Sequence, residues 1–261
     1  MAADDGLTIT PPYGYREIVP LKKTDKVLLP GGLTPEFCRT ANSLALSAAE
    51  FVSAARDYPI TFVSGDEKTF APVALLGLAE KQNLFIDASG AWIAGHYVPA
   101  FIRRFPFCLA RATVEGKPRT DRIVCVEKSY LDAGGLPLYD AEGKVTPNWS
   151  GFEQLLQSYE NDLELTAQMC EAFAKLELFE AFEFRVMNAE QASLTIKGMY
   201  RIDEKRFTAL KPASHKAMVT KGFMGRIYSH FHSLENFGRL YQRALALATE
   251  QAQLQKRDTQ R

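Results

Sequence analysis

Apolar residues recur at helical steps in three stretches of the chain and at shorter intervals between them. In the first stretch, Phe37, Ala41, Leu44, Ala48, Phe51 and Ala55 fall at steps of three, four and seven, which is one helical stripe. Thr34 is a good helix cap and Pro35 suits a first helical position. Pro59 disfavours helix at Tyr58, so the spacing predicts a helix over 34–57. The second stretch runs from Phe152 through Leu155, Leu156, Tyr159, Leu163, Thr166 and Cys170 to Phe173. Ser150 and Glu153 stand before it in capping-box spacing, which predicts a helix over 150–176. The third runs through Ile227, Phe231, Leu234, Gly238, Tyr241, Leu245 and Ala248. It predicts a helix over 224–248, inside a helical region that starts at Ser214 and breaks near Gly222. Its alternating steps of four and three are heptad-like. The seam is short and contains glycine, so packing on the body is the first reading and a homo-oligomer contact through the C-terminal helix the second.

Between these stretches the pattern is that of short strands. Ile60–Val63, Pro72–Leu78, Leu84–Ile86, Phe107–Val114, Arg122–Glu127, Phe182–Met187, Ala192–Lys197 and Met199–Ile202 are β-branched or aromatic and are bounded by turn residues. Tyr97–Arg104 reads as a short helix opened by Pro99, and 129–149 as a long polar loop. Residues 1–32 hold four prolines and no sustained period, and read as an irregular arm that packs on the body through Tyr13, Tyr15, Ile18 and Leu21. Residues 251–261 read as a polar, disordered tail. Tight turns between short strands, without βαβ alternation, predict one α+β domain over 33–250. Its sheet is mainly antiparallel and flanked by several helices, with a long helix at the C-terminus.

Composition narrows the function only slightly. Thirty-one basic residues balance thirty-one acidic ones, so no overall charge favours nucleic acid or an anionic membrane. No apolar run approaches the roughly 20 residues that span a bilayer. The N-terminus has no basic segment followed by an apolar one, so a cytoplasmic protein is expected. Cys38, Cys108, Cys125 and Cys170 have neither paired nor zinc-type spacing and are expected to be reduced, buried thiols.

Motifs for chemistry are missing. His96, His215, His230 and His232 give one HxH pair. On a helix that spacing turns the two rings roughly opposite ways, so no metal site is expected. No phosphate-binding or dinucleotide-binding glycine loop and no nucleophile elbow occurs, which leaves cofactors unassigned and catalytic residues unknown. The segment 90–107 stands out for Trp92, Tyr97, Phe101, Phe105 and Phe107 around Arg103 and Arg104. Arginine among aromatics suits recognition of carboxylates, phosphates or planar groups. The competing reading places the rings in the core and the arginines at a helix C-terminus. Candidate binding residues are Trp92, Tyr97, Arg103, Arg104 and Phe107. One of the two adjacent arginines is expected to pair internally with a carboxylate.

Several motifs together resemble the SapC family, associated with bacterial surface layers. They are Tyr58-Pro59-Ile60 with Phe62-Val63, Ala74–Leu78, Asn83-Leu84-Phe85, Trp92, Tyr97–Phe107, Gly198–Asp203, Ile227–His230 and Ser233-Leu234. The resemblance spans roughly Ile18 to Leu240. Members look like neighbours of halogenase-like and outer-membrane receptor genes, and the resemblance carries no catalytic residue set. It implies a soluble accessory or binding protein that recognises a peptide, protein or small molecule, in surface-layer or surface-protein biogenesis. The alternative is an enzyme or modifier of a peptide or aromatic metabolite, with a site assembled from distant residues.

Overall fold

The computed structural model describes residues 7–114, 117–187 and 193–259. In chain order the strands are β1 (Leu7–Ile9), β2 (Ile18–Pro20), β3 (Lys26–Val27), β4 (Ser43–Ala45), β5 (Ile60–Ser64), β6 (Phe70–Leu75), β7 (Phe107–Val114), β8 (Lys117–Glu127), β9 (Leu136–Pro137), β10 (Phe179–Met187) and β11 (Ser193–Ile202). The α-helices are α1 (Phe51–Ala54), α2 (Ala100–Arg103), α3 (Pro147–Lys175), α4 (Glu204–Thr208), α5 (Pro212–Thr220), α6 (Met224–Ser233) and α7 (Asn236–Thr259). The fold is α+β, with antiparallel sheets, several helices and a long C-terminal helix. The chain divides into two compact units. One holds Met1–Cys38 and Ala100–Asn161, and the other Arg39–Pro99 and Asp162–Arg261.

The first unit is built on a sheet ordered β1-β7-β8-β2, with β3 and β9 forming a separate pair. The two long central strands send successive residues to opposite faces, as the pleat requires, and each face has its own buried cluster. One core cluster gathers Tyr15, Ile18, Phe105, Cys108, Ala110 and Cys125. Another gathers Val27, Phe107, Val126, Leu138, Trp149 and Leu156. The N-terminal arm therefore supplies three strands, each of two or three residues, too short to leave a period in the sequence. Tyr15 and Ile18 are buried as expected, whereas Tyr13 is 61% exposed.

The second unit is built on a sheet ordered β10-β11-β5-β6-β4. Its core includes Phe51, Phe62, Phe173, Phe223 and Ile227, with Phe179 against Phe62 at 4.9 Å between ring centres. β11 and β5 share a single register pair, Tyr200 with Phe62. The next pair in that register would be Ile202 with Ile60, and there the imidazole of His230 on α6 takes the place of direct strand bonding. Its Nε2 accepts from the Ile202 N–H at 3.1 Å and its Nδ1 donates to the Ile60 carbonyl at 2.9 Å. Ser233, one turn on, accepts from the Ile60 N–H at 3.0 Å. Asn236 donates to the carbonyls of Ala55 and Tyr58 at 2.8 and 3.1 Å. Side chains of α6 and of the first residue of α7 thus close the polar backbone at the start of β5.

The structure corrects several sequence expectations. The helix over 34–57 is instead a 3₁₀ turn at Glu36–Thr40, strand β4, a second turn at Ala48–Glu50 and the short α1. Leu44 and Leu46 are buried while Ala45 between them is exposed, which is also a period of two. Asn42, Ser43 and Ser47 are weak helix formers, and the ladder from β4 to Leu75, Ala74 and Val73 of β6 wins. α3 starts at Pro147, not at Ser150, because Thr146 begins it. The Thr146 carbonyl accepts from the N–H groups of Trp149 and Ser150, and its hydroxyl is bonded to the carbonyls of Pro137 and Leu138. Leu84–Ile86 is no strand beyond one bridge between Ile86 and Trp92. The two segments expected around Gly198 are one strand, with Gly198 at φ +78° inside it. α7 continues to Thr259, through most of the segment expected to be a disordered tail. The break near Gly222 is present, with that glycine at φ +71°.

Candidate functional site

In the second unit, Trp92 and Tyr97 are brought together through Tyr58. The Trp92 indole N–H donates to the Tyr58 hydroxyl at 3.1 Å, and that hydroxyl donates to the Tyr97 carbonyl. Trp92 lies nearly parallel to Phe85, with ring centres 6.2 Å apart. The turn that presents Trp92 is fixed by Asp87, whose carboxylate accepts from the backbone N–H groups of Ser89 and Ala91 and from the Ser89 hydroxyl. These bonds, the Ser89 hydroxyl first, hold the Asp87 carboxyl below its usual range. Gly90 at φ +90° completes the turn. A Cβ there would meet the Arg39 guanidinium at 2.1 Å.

Beside the aromatic residues runs a chain of polar side chains. Asp57 Oδ1 bonds His96 Nδ1 at 3.0 Å, and Asp57 Oδ2 accepts from the Tyr97 N–H at 2.8 Å. His96 Nε2 lies 2.8 Å from an Arg243 Nη2, and Arg243 Nη1 donates to the Leu84 carbonyl at 3.1 Å. An arginine can only donate, so Nε2 accepts and the imidazole proton resides on Nδ1, facing Asp57. The guanidinium lies over the Phe85 ring at 4.5 Å. Tyr97 extends the chain the other way, donating its hydroxyl to Glu50 Oε1 at 3.1 Å. Glu50 is 5% exposed, and its other oxygen accepts from the N–H and hydroxyl of Ser47. Asp57, His96 and Arg243 lie at partly exposed positions.

Arg103, Arg104 and Phe107 lie in the other unit. Phe107 is fully buried and packs against Trp149 and Phe152 at 4.8 and 4.9 Å, a core position. Arg103 is exposed at the end of α2, while Arg104 is 4% exposed. Among the described residues, no carboxylate is bonded to Arg104. Its guanidinium lies 4.7 Å from the Phe101 ring centre, 5.0 Å from Tyr159 and 5.8 Å from Tyr15, and its Nε has no hydrogen-bond partner. Glu160 is bonded to Arg122 instead. Burial raises the Glu160 carboxyl, against the pull of Arg122 and Arg104. Helix α2 thus separates the two arginines as their 100° offset requires, with aromatic faces as the internal partner.

Two further features carry no unassigned chemistry. A hollow of about 370 Å³ is lined by Glu180, Arg201, Asp203, Lys205, Phe231 and Leu234 among others. Arg201 is paired there with Glu180 at 2.6 Å, and Asp203 caps α4. Among the described residues, no group of three or more His, Cys, Asp or Glu side chains could hold a metal ion. His230 and His232 diverge on α6 as helical spacing demands, one buried and one exposed.

The sequence singled out Trp92 and Tyr97 but missed Asp57, Glu50 and Arg243. Tyr97 follows His96 directly, so the histidine lay within the highlighted segment. Its partners come from 39 and 147 residues away, a separation no local pattern encodes.

These features define an α+β protein with antiparallel sheets, an aromatic and charged cluster, and no described helix long and apolar enough to cross a membrane. The SapC family model matches residues 32–240, and the chain belongs to the SapC family. No curated protein and no solved structure matches it.

Proposed function

We propose that the protein is a non-enzymatic accessory or binding protein that recognises a peptide, protein or small molecule at the surface around Trp92, Tyr97, His96 and Arg243. One observation carries this reading. The Asp57–His96 pair has the spacing of a base and its orienting acid, but the nitrogen that would take a proton already accepts from Arg243 at 2.8 Å. The imidazole thus holds an arginine in place. Such rigid, partly exposed aromatic and arginine side chains are the usual anchors of recognition. Surface-layer or surface-protein biogenesis is the setting we assign, from the family's association with surface layers.

We take the protein as cytoplasmic, in keeping with four buried cysteines that form no disulfide, and without a nucleic-acid partner, given its balanced charge. A homo-oligomer would form through the exposed part of α7, where Leu245 is 40% exposed. The 3.0 Å Asp57–His96 contact favours a second reading, an enzyme acting on a peptide or aromatic metabolite once Arg243 moves aside. Native mass spectrometry of freshly purified protein tests the first reading. The expected result is a retained non-covalent mass that is absent from an Arg243→Gln variant. Bare chain alone, with a peptide or aromatic metabolite altered by the protein but not by a His96→Gln variant, would overturn it in favour of the second.

A further inference from the structure

Arg243 is held firmly, yet by neutral groups only. Its guanidinium carries five N–H donors. One goes to the Leu84 carbonyl at 3.1 Å and one to His96 Nε2 at 2.8 Å, and the plane rests on Phe85 at 4.5 Å. Three donors remain. The carboxylate next along the chain, Asp57, has one oxygen on His96 and the other on the Tyr97 N–H. Among the described residues Arg243 has no carboxylate partner, although it is partly withdrawn from water. A cation so placed is weakly screened and is set for an anion.

Its surroundings add to the excess. Arg239 lies one turn earlier on the same face of α7. It donates to the Arg56 carbonyl at 3.3 Å and to Asn236 Oδ1 at 3.2 Å. Arg56 itself donates to the Ser53 carbonyl at 3.5 Å. Arg239 and Arg56 are thus held on neutral acceptors where α7 meets the 53–58 segment, and Arg243, one turn further along α7, on neutral acceptors of residues 84–96, in a chain whose total charges cancel. Trp92, partly exposed, lies nearly parallel to the same Phe85 ring that the cation rests on, with ring centres 6.2 Å apart, and offers an apolar surface at that ring.

We propose that Arg243 is the anchor of a carboxylate-binding site, and that the ligand carries its carboxylate beside a planar or apolar group that packs at Trp92. This rests on the binding reading given above and names the chemistry of its ligand. The guanidinium offers a carboxylate its unoccupied donors in fixed geometry, which a flexible lysine ammonium does not. Because His96, Leu84 and Phe85 already fix the fork, little rotamer freedom is lost when the anion arrives.

The test is titration of the intact protein, followed by tryptophan fluorescence and calorimetry, with phenylacetate, phenylacetamide, a tetraglutamate peptide and inorganic phosphate. Phenylacetate is expected to bind at least about tenfold more tightly than its neutral amide and to weaken as salt is added. Arg243→Lys is expected to lose about tenfold in phenylacetate affinity while melting within a few degrees of the parent. Tighter binding of tetraglutamate than of phenylacetate would assign the carboxylate to an acidic peptide, and the reverse to a small aromatic acid. Equal binding of acid and amide overturns the proposal, as does preference for phosphate or an Arg243→Lys variant that binds like the parent. If Arg243→Lys melts early, the salt dependence and the acid–amide difference in the parent protein decide. A ligand without an acidic group, retained in native mass spectrometry, would overturn the carboxylate chemistry and leave the binding reading standing. Failure of every probe, with bare chain in the spectrum, would overturn both.

Discussion

His230 is the residue whose replacement tests the fold most directly. It is fully buried and bridges Ile60 and Ile202, which are themselves 0% and 2% exposed. His230→Leu keeps most of the bulk but leaves one N–H and one C=O buried without partners. At about 1–3 kcal/mol for each unmade bond, the loss is about 2–6 kcal/mol, a large share of the stability of about 5–15 kcal/mol typical of a domain. The ionisation of the ring gives a second, independent magnitude. Burial pushes the imidazole down to about 4, with Arg201 acting in the same direction and the Ile60 carbonyl opposing. The unfolded chain titrates near 6.5, so at intermediate pH the unfolded state takes up a proton that the folded state refuses. The contribution is therefore complete above about 6.5 and is lost as pH falls towards about 4, about 3 kcal/mol in all. Some 2 kcal/mol of it disappears between about pH 7 and about pH 5. Urea unfolding of the parent and of His230→Gln at those two pH values isolates it. The variant is expected to be less stable near neutrality, with the gap narrowing by about 2 kcal/mol at the lower pH. A gap that stays constant would refute a buried, neutral His230.

The cysteines give a chemical check: burial pushes the thiols of Cys38, Cys108 and Cys170 up to about 12 and that of Cys125 to about 11. Alkylation without reductant should therefore be slow in the folded protein and reach four additions once it is unfolded, whereas two or fewer would show disulfides. Arg104→Met keeps volume among Phe101, Tyr159 and Tyr15 while removing an unpartnered Nε. Thermal melting should find it within about 1 kcal/mol of the parent or more stable, with Arg104→Ala about 2–4 kcal/mol worse and Arg103→Ala nearly unchanged. Phe237 and Leu240 are 4% and 2% exposed, so the start of α7 packs on its own unit. Leu245→Glu is then expected to leave the light-scattering mass unchanged, and a halved mass would assign the exposed part of α7 to a dimer.

What the sequence revealed depended on how each signal is encoded. β7 was legible at both ends, Phe107–Val114, because it opens on the apolar run Phe107–Ala110 and turn-forming residues follow Val114 in the sequence. α3 was legible in its buried face, with Tyr159, Cys170 and Phe173 all inside, since a long helix repeats its period many times. Its start was read one turn late because Ser150 and Glu153 match a capping box as well as Thr146-Pro147 matches a cap. The stripe from Phe37 to Ala55 misled for a different reason. Leu44 belongs both to that stripe and to a two-residue alternation with Leu46, and pairing with β6 decided between them. At the site, residues within one segment could be named, and Trp92 and Tyr97 do share a hydrogen-bonded cluster through Tyr58. Arg243 could not be named, because its role depends on the docking of α7 against residues 84–97.

The motifs that carry the family resemblance divide by what their side chains do. In Ile227–His230 and Ser233, the histidine and serine are bonded to the backbone of β5 and β11. In Gly198–Asp203, Arg201 is paired with Glu180 and Asp203 caps a helix. Such groups are occupied in holding strands and helix ends. Those motifs therefore report a fold. On the binding reading proposed above, recognition comes from charged groups that are fixed but not neutralised, and Arg243 is the one proposed, just beyond the matched region that ends at residue 240. A separation of effects follows. Ser233→Ala removes the acceptor of the Ile60 N–H and should lower stability by about 1–3 kcal/mol. Its affinity for a carboxylate probe, measured well below the melting temperature, should stay unchanged. Arg243→Lys should do the reverse, lowering affinity about tenfold at nearly constant melting temperature. If instead both variants lose stability and affinity in the same proportion, Arg243 is one more stitch of the fold, and the division between structural motif and recognition residue fails.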